Sequence, residues 1–173
     1  SAMTADHALE RILDFLRGIG IAVREGPVAG DDFLPGIRVE DGGLVLDRAQ
    51  LRWPGDLLHE AGHLAVLPPA QRRGMSGDLA GHEAIPYASE MEATAWAYAA
   101  TVAIGLDPAV LFHDGGYHGR SAGLVRTYAL GVYPGAHGLV QAGMAATGPD
   151  ALARGEAIYP RMRRWLRDEP LPR

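Results

Sequence analysis

Residues 57–66 read Leu57-Leu58-His59-Glu60-Ala61-Gly62-His63-Leu64-Ala65-Val66, and this run sets how the rest of the chain is read. Its apolar residues recur at helical spacing; Pro54 or Asp56 opens the helix, and Pro68-Pro69 stops it after about Val66. On such a helix His59 and His63 stand at i and i+4, one turn apart on one face, so both imidazoles can reach a single metal ion. Neutral imidazole suits Zn²⁺, which binds nitrogen at about 2.0–2.1 Å in tetrahedral geometry. Glu60 lies one step round the helix. There its carboxylate can contact a metal-bound water without ligating the metal, and take that water's proton as general base. Leu57, Leu58, Leu64 and Val66 place the helix mostly inside, where two unpaired histidines would be costly. A metal pair is therefore the stronger reading than two ordinary surface histidines.

Upstream, Asp6 is placed to cap a helix that carries Leu9, Ile12, Leu13 and Leu16 on one face and ends at Gly18 and Gly20. Ile21-Ala22-Val23 reads as a short strand, and residues 26–36 as a loop. Ile37-Arg38-Val39-Glu40 and Leu44-Val45-Leu46-Asp47 flank Asp41-Gly42-Gly43, a β-hairpin with a glycine turn. Downstream, a polar connection over residues 71–81 leads to a second long helix. It starts between Pro86 and Ser89, is rich in alanine and ends near Gly105. Residues 112–143 hold many Gly, His and Tyr and show no clear period. A last helical stretch follows Asp150, kinked at Pro160, with Ile158, Met162, Trp165 and Leu166 on one face. With no repeat and no long linker, residues 4–173 read as one α+β domain, and residues 1–3 as a tag remnant.

The 173 residues are 47% hydrophobic and 21% charged, ordinary for a globular chain and enough for a self-sufficient core. There is no cysteine, which excludes disulfides, thiolate metal sites and a cysteine nucleophile. A net charge of −5 argues against nucleic acid as the main partner. No apolar run reaches the length of a membrane span, and the first residues lack a signal-peptide layout, so the expectation is a cytoplasmic protein without a membrane partner. All 16 basic side chains are arginine, a compositional bias. Arg161, Arg163, Arg164 and Arg167, beside Trp165, read as the solvated face of a terminal helix.

A catalytic zinc needs a third protein ligand and one open position. His82, Glu83, Glu90 and Glu92 are the candidates. The His59-Glu60-Ala61-Gly62-His63 motif, followed by Ser89-Glu90-Met91-Glu92-Ala93-Thr94-Ala95-Trp96-Ala97, resembles the gluzincin pattern, closest to the ImmA/IrrE-like metallopeptidases and minimal gluzincins. The resemblance covers residues 37–106. It implies a zincin-like domain, with a short sheet packed on the motif helix and a third ligand from a glutamate on a second helix, in an E-x-x-A-(N/D) arrangement. Glu90 fits, with Ala93 at +3 and Thr94 at +4, where Asn or Asp would orient a ligating histidine. Glu92 fits less well, and Ser89-x-x-Glu92 gives it a capping box to serve. Small residues on both helices, Ala61, Gly62 and Ala65 against Ala93, Ala97 and Ala100, permit the close approach that a short glutamate needs.

These readings point to a zinc-dependent hydrolase with a peptide or protein substrate: His59, His63 and Glu90 hold Zn²⁺, Glu60 activates water, and the hairpin offers an edge for strand addition. In the glycine-rich last third, Tyr117 and His118, with Tyr133 and His137, are candidate donors to an oxyanion. The alternative is a metal-binding regulatory protein without turnover, in which His113, His118 or His137 blocks the open position. Hydrolysis of a non-peptide carbonyl is a third reading. The N-terminal helix shows no helix-turn-helix pairing.

Overall fold

The computed structural model describes residues 2–29, 34–77 and 88–168. The architecture is α+β: a small three-stranded sheet lies beside a set of helices. Helix α1 (Ala2–Gly18) buries Leu9, Ile12, Leu13 and Leu16 as their spacing predicts, and packs against the two helices that bear the site. Asp6 lies inside α1 and is not its cap. The expected first strand is displaced by two residues: β1 is Val23–Glu25.

The hairpin forms, with Gly43 starting the second strand rather than belonging to the turn. Strands β2 (Ile37–Glu40) and β3 (Gly43–Leu46) pair antiparallel, with Val39 opposite Leu44. Both turn residues, Asp41 and Gly42, have positive φ (50° and 78°), the geometry that matches strand twist in a two-residue turn. Only glycine suits the second position, because a Cβ there would stand 2.5 Å from the Arg72 carbonyl oxygen. β1 pairs in parallel with β3, so the order is β1-β3-β2 and β2 is an edge. That edge is less open than the hairpin alone suggests. The Val39 carbonyl accepts a hydrogen bond from the Gly77 N–H (3.1 Å), and the Asp41 N–H donates to the Ser76 hydroxyl (3.0 Å).

Helix α2 (Gly55–Ala65) carries the motif, with Leu57, Leu58, Ala61, Leu64 and Ala65 fully buried. Its last carbonyls would be orphaned in the core. The Arg72 guanidinium donates to the Leu64 carbonyl (3.0 Å), and the Arg167 N–H donates to the Ala65 carbonyl (2.9 Å). Arg72 belongs to α3 (Pro69–Arg73), a short helix in what reads as a polar connection. Helix α4 (Ala88–Ile104) is buried nearly all round: Trp96 and Ala93, Ala95, Ala97, Ala99 and Ala100 have no exposed surface. It ends at Gly105, whose positive φ of 84° allows the left-handed cap. Helices α2 and α4 make the most extensive helix–helix contact in the fold. At its centre, a Cβ on Gly62 would lie 2.6 Å from the Ala93 carbonyl oxygen, so the small residues are a packing requirement.

The last third departs most from the sequence reading. The stretch without a clear period is helical in short pieces: α5 (Pro108–Leu111), a 3-10 turn at Tyr117–Gly119, α6 (Ser121–Ala129) and α7 (Ala136–Gln141). Among the described residues none after α8 (Gly148–Ala153) is helical, so the helical stretch expected after Asp150 stops at Ala153 and does not continue through Pro160. The tail instead runs back over the core. The Trp165 ring meets Trp96 and Phe15 edge-on, and its carbonyl accepts the Trp96 indole N–H at 2.8 Å. Of the four terminal arginines, Arg161, Arg163 and Arg164 are exposed and Arg167 is buried. No helix among the described residues is long and apolar enough to cross a membrane.

Candidate metal centre

The motif histidines turn their Nε2 atoms toward each other, 3.3 Å apart. Glu90, in the first turn of α4, reaches across the helix contact and bridges them: Oε1 is 2.9 Å from His59 Nε2, and Oε2 is 3.0 Å from His63 Nε2. These three side chains are the one group of histidines and acids among the described residues that could hold a metal ion. His63 is buried, His59 is largely so, and Glu90 opens toward solvent. Hydrogen bonds from both histidines hold the Glu90 carboxyl far below the usual range. Burial works against charge on His59, but the hydrogen bond to Glu90 and the negative charges of Glu90, Glu60 and Asp56 outweigh it and raise its pKa.

The choice between the two glutamates follows from helix geometry. Two residues beyond Glu90, Glu92 points to another side of α4 and its carboxylate packs over Gly138 of α7. Burial there pushes its carboxyl above the ordinary value, with the Arg167 charge opposing. The Ser89 side chain, and with it the capping box, lies outside the described residues, as do His82 and Glu83.

A cavity of about 840 Å³ opens over the three side chains. Glu60, buried, lines it, as do Tyr117 and His118; its apolar walls come from Trp53, Met91, Leu124 and Tyr128. Leu34 and Pro35, just ahead of β2, form its sheet-side rim. Tyr117 and His118 both adopt positive φ (58° and 53°), and the Tyr117 hydroxyl lies 3.5 Å from His59 Nδ1. Burial, reinforced by the charges of Asp56 and Glu90, pushes the Tyr117 phenol well above its ordinary value, so it stays protonated. Thr94 also lines the cavity, yet its hydroxyl donates to the Glu90 carbonyl (2.9 Å) one turn back. The buried His63 Nδ1 has no hydrogen-bond partner among the described residues.

Three other candidates are placed elsewhere. Tyr133 stands among Tyr98, Tyr128 and Tyr159 in an aromatic cluster, and His137 is exposed on α7; neither lines the cavity. His113 is buried with Nε2 2.7 Å from Asp56 Oδ1, and its ring stacks on Trp53 at 4.4 Å. In the sequence, Asp56 has only the role of opening the motif helix, and Trp53 none. The available signal was that Asp56 stands three residues before His59, on the same helical face. Compared with family models, curated proteins and solved structures, the chain gives no match.

Proposed function

We propose that the protein is a zinc-dependent hydrolase of gluzincin type acting on peptide bonds. The observation that carries the proposal is the convergence of His59, His63 and Glu90 from two helices. For zinc at about 2.0–2.1 Å in tetrahedral geometry, two nitrogen ligands stand about 3.3–3.4 Å apart. The Nε2 atoms here are 3.3 Å apart, with a carboxylate oxygen near each. The motif helix, the second helix bearing the glutamate and the adjoining sheet also support the likeness to the ImmA/IrrE-like and minimal gluzincins.

When bound, zinc supplies Lewis-acid polarisation of water and of the scissile carbonyl. The rest falls to the chain's own side chains. His59, His63 and Glu90 hold the ion. Glu60, next in sequence to His59 and lining the same cavity, takes the proton of the attacking water and passes it to the leaving amine. Tyr117, protonated throughout the working range, and His118 face the same space and donate to the negative charge that develops on the carbonyl oxygen. The apolar walls accept side chains flanking the bond. The β2 edge is not free for a substrate strand along its length, because the Gly77 N–H takes the Val39 carbonyl and the Leu34 carbonyl takes the Ile37 N–H; among the described residues, Leu34 and Pro35 are the part of that side that lines the cavity.

None of His113, His118 and His137 joins the His59–His63–Glu90 group, and His113 is engaged by Asp56; this favours turnover over a metal site blocked by a fourth protein ligand. The test is metal content together with hydrolysis of unstructured peptides. The reading requires near-stoichiometric zinc in the purified protein, its loss in Glu90→Ala, and peptide cleavage abolished by Glu60→Gln. Absence of zinc after reconstitution would overturn it.

A further inference from the structure

The loop that brings Tyr117 to the site is tied to α2 by a built contact. The Gly115 N–H donates to His113 Nδ1 at 3.1 Å, so that nitrogen presents its lone pair and the ring proton sits on Nε2. Nε2–H then donates to Asp56 Oδ1 at 2.7 Å. The imidazole lies flat on Trp53, with 6° between the ring planes, and Gly116 packs against its edge. His113 is buried and Asp56 partly so, their side chains 6% and 13% exposed. Beyond this anchor, Tyr117 and His118 take left-handed conformations, which are unfavourable for a non-glycine residue and persist only where the surroundings impose them.

What the anchor imposes is the approach of the Tyr117 hydroxyl to His59 Nδ1, 3.5 Å away, with the two rings perpendicular. A histidine that gives Nε2 to a metal keeps its proton on Nδ1, and that N–H needs an acceptor. We propose that Tyr117 is a positioning residue for His59, its phenol oxygen accepting the Nδ1–H, and that the Asp56–His113 pair is the clamp that sets it there. The phenol's own proton is then directed away from His59, toward the cavity. The proposal rests on the metal-site reading above, and gives Tyr117 a role in holding the ligand that a donor to the substrate would not have.

Zinc affinity, measured by competition with a chromophoric chelator at fixed pH, tests it without any substrate. Tyr117→Phe keeps the ring and removes the acceptor; zinc binding weakens about tenfold. His113→Ala weakens it in the same direction, and His113→Gln, which retains a donor for Asp56, restores much of the loss. In the His113→Ala/Tyr117→Phe double variant the loss is no greater than in Tyr117→Phe alone, since both act through one contact. Tyr117→Phe within about twofold of wild type, or losses that multiply in the double variant, would overturn the proposal. If His113→Ala does not fold, Tyr117→Phe and His113→Gln decide it. Wild-type protein that binds no zinc overturns the metal-site reading and this inference together, whereas a wild type that binds and a Tyr117→Phe variant that binds equally well removes the inference alone.

Discussion

Gly62 and Ala93 touch where α2 crosses α4, and a Cβ on Gly62 would come within 2.6 Å of the Ala93 carbonyl oxygen and 3.1 Å of its Cα. Backbone, unlike a flexible side chain, cannot move aside. The close crossing brings the first turn of α4 near enough for Glu90 to span both histidines of α2. Gly62→Val should therefore separate the helices, destabilise the fold by about 1–3 kcal/mol, and weaken metal uptake as well. A thermal melt and a zinc titration on the same preparation check both effects.

The two glutamates of α4 predict opposite outcomes. Glu90→Ala should abolish stoichiometric zinc binding, because the remaining histidines supply only two ligands. Glu92→Ala should leave it intact, since that carboxylate lies over Gly138. Equilibrium dialysis followed by elemental analysis separates the two.

Glu60→Gln preserves shape and removes the base. Zinc should be retained, while peptide hydrolysis should fall by about 10²–10⁴-fold, the usual contribution of a general base. Retained zinc alongside unchanged turnover would remove Glu60 from the mechanism.

Metal-free protein should show a stability maximum in mildly acidic solution. The His59 pKa is raised above the ordinary 6.5, so its contribution is present below 6.5 and is lost as pH rises through the higher folded-state value. The Glu90 pKa is depressed below the ordinary 4.5, so its contribution is present above 4.5 and fades as pH falls toward the lowered value. Urea midpoints measured across pH with a chelator present should peak between these limits, and Glu90→Gln should flatten both flanks. Zinc affinity should run the other way on the alkaline side, strengthening as His59 loses its proton.

The motif helix and the hairpin were legible because each announces itself within a few residues: helical periodicity between two prolines, and a turn whose residues tolerate positive φ. Glu90 was legible as a candidate, though its separation from Glu92 needed the packing of Gly138 on α4. The last third was not, for a physical reason. Helices such as α5, of four residues, and α7, of six, are too short to show a period. The tail misled in the opposite sense: Ile158, Met162, Trp165 and Leu166 keep helical spacing, yet are partly exposed residues of a non-helical segment laid against finished helices. The Asp56–His113 contact joins residues 57 positions apart, and nothing local in either neighbourhood specifies it.

The bond from the Arg167 N–H to the Ala65 carbonyl has a consequence for the order of events during synthesis. The helix that bears both histidines emerges early, but its buried end is sealed by residues near the finish of the described chain, and Trp96 of the partner helix waits for the Trp165 carbonyl. A ribosome-bound chain that stops short of residue 165 therefore carries both histidines while the Ala65 carbonyl and the Trp96 indole N–H still lack these partners. The buried end of the motif helix is completed only by backbone synthesised long after the helix itself.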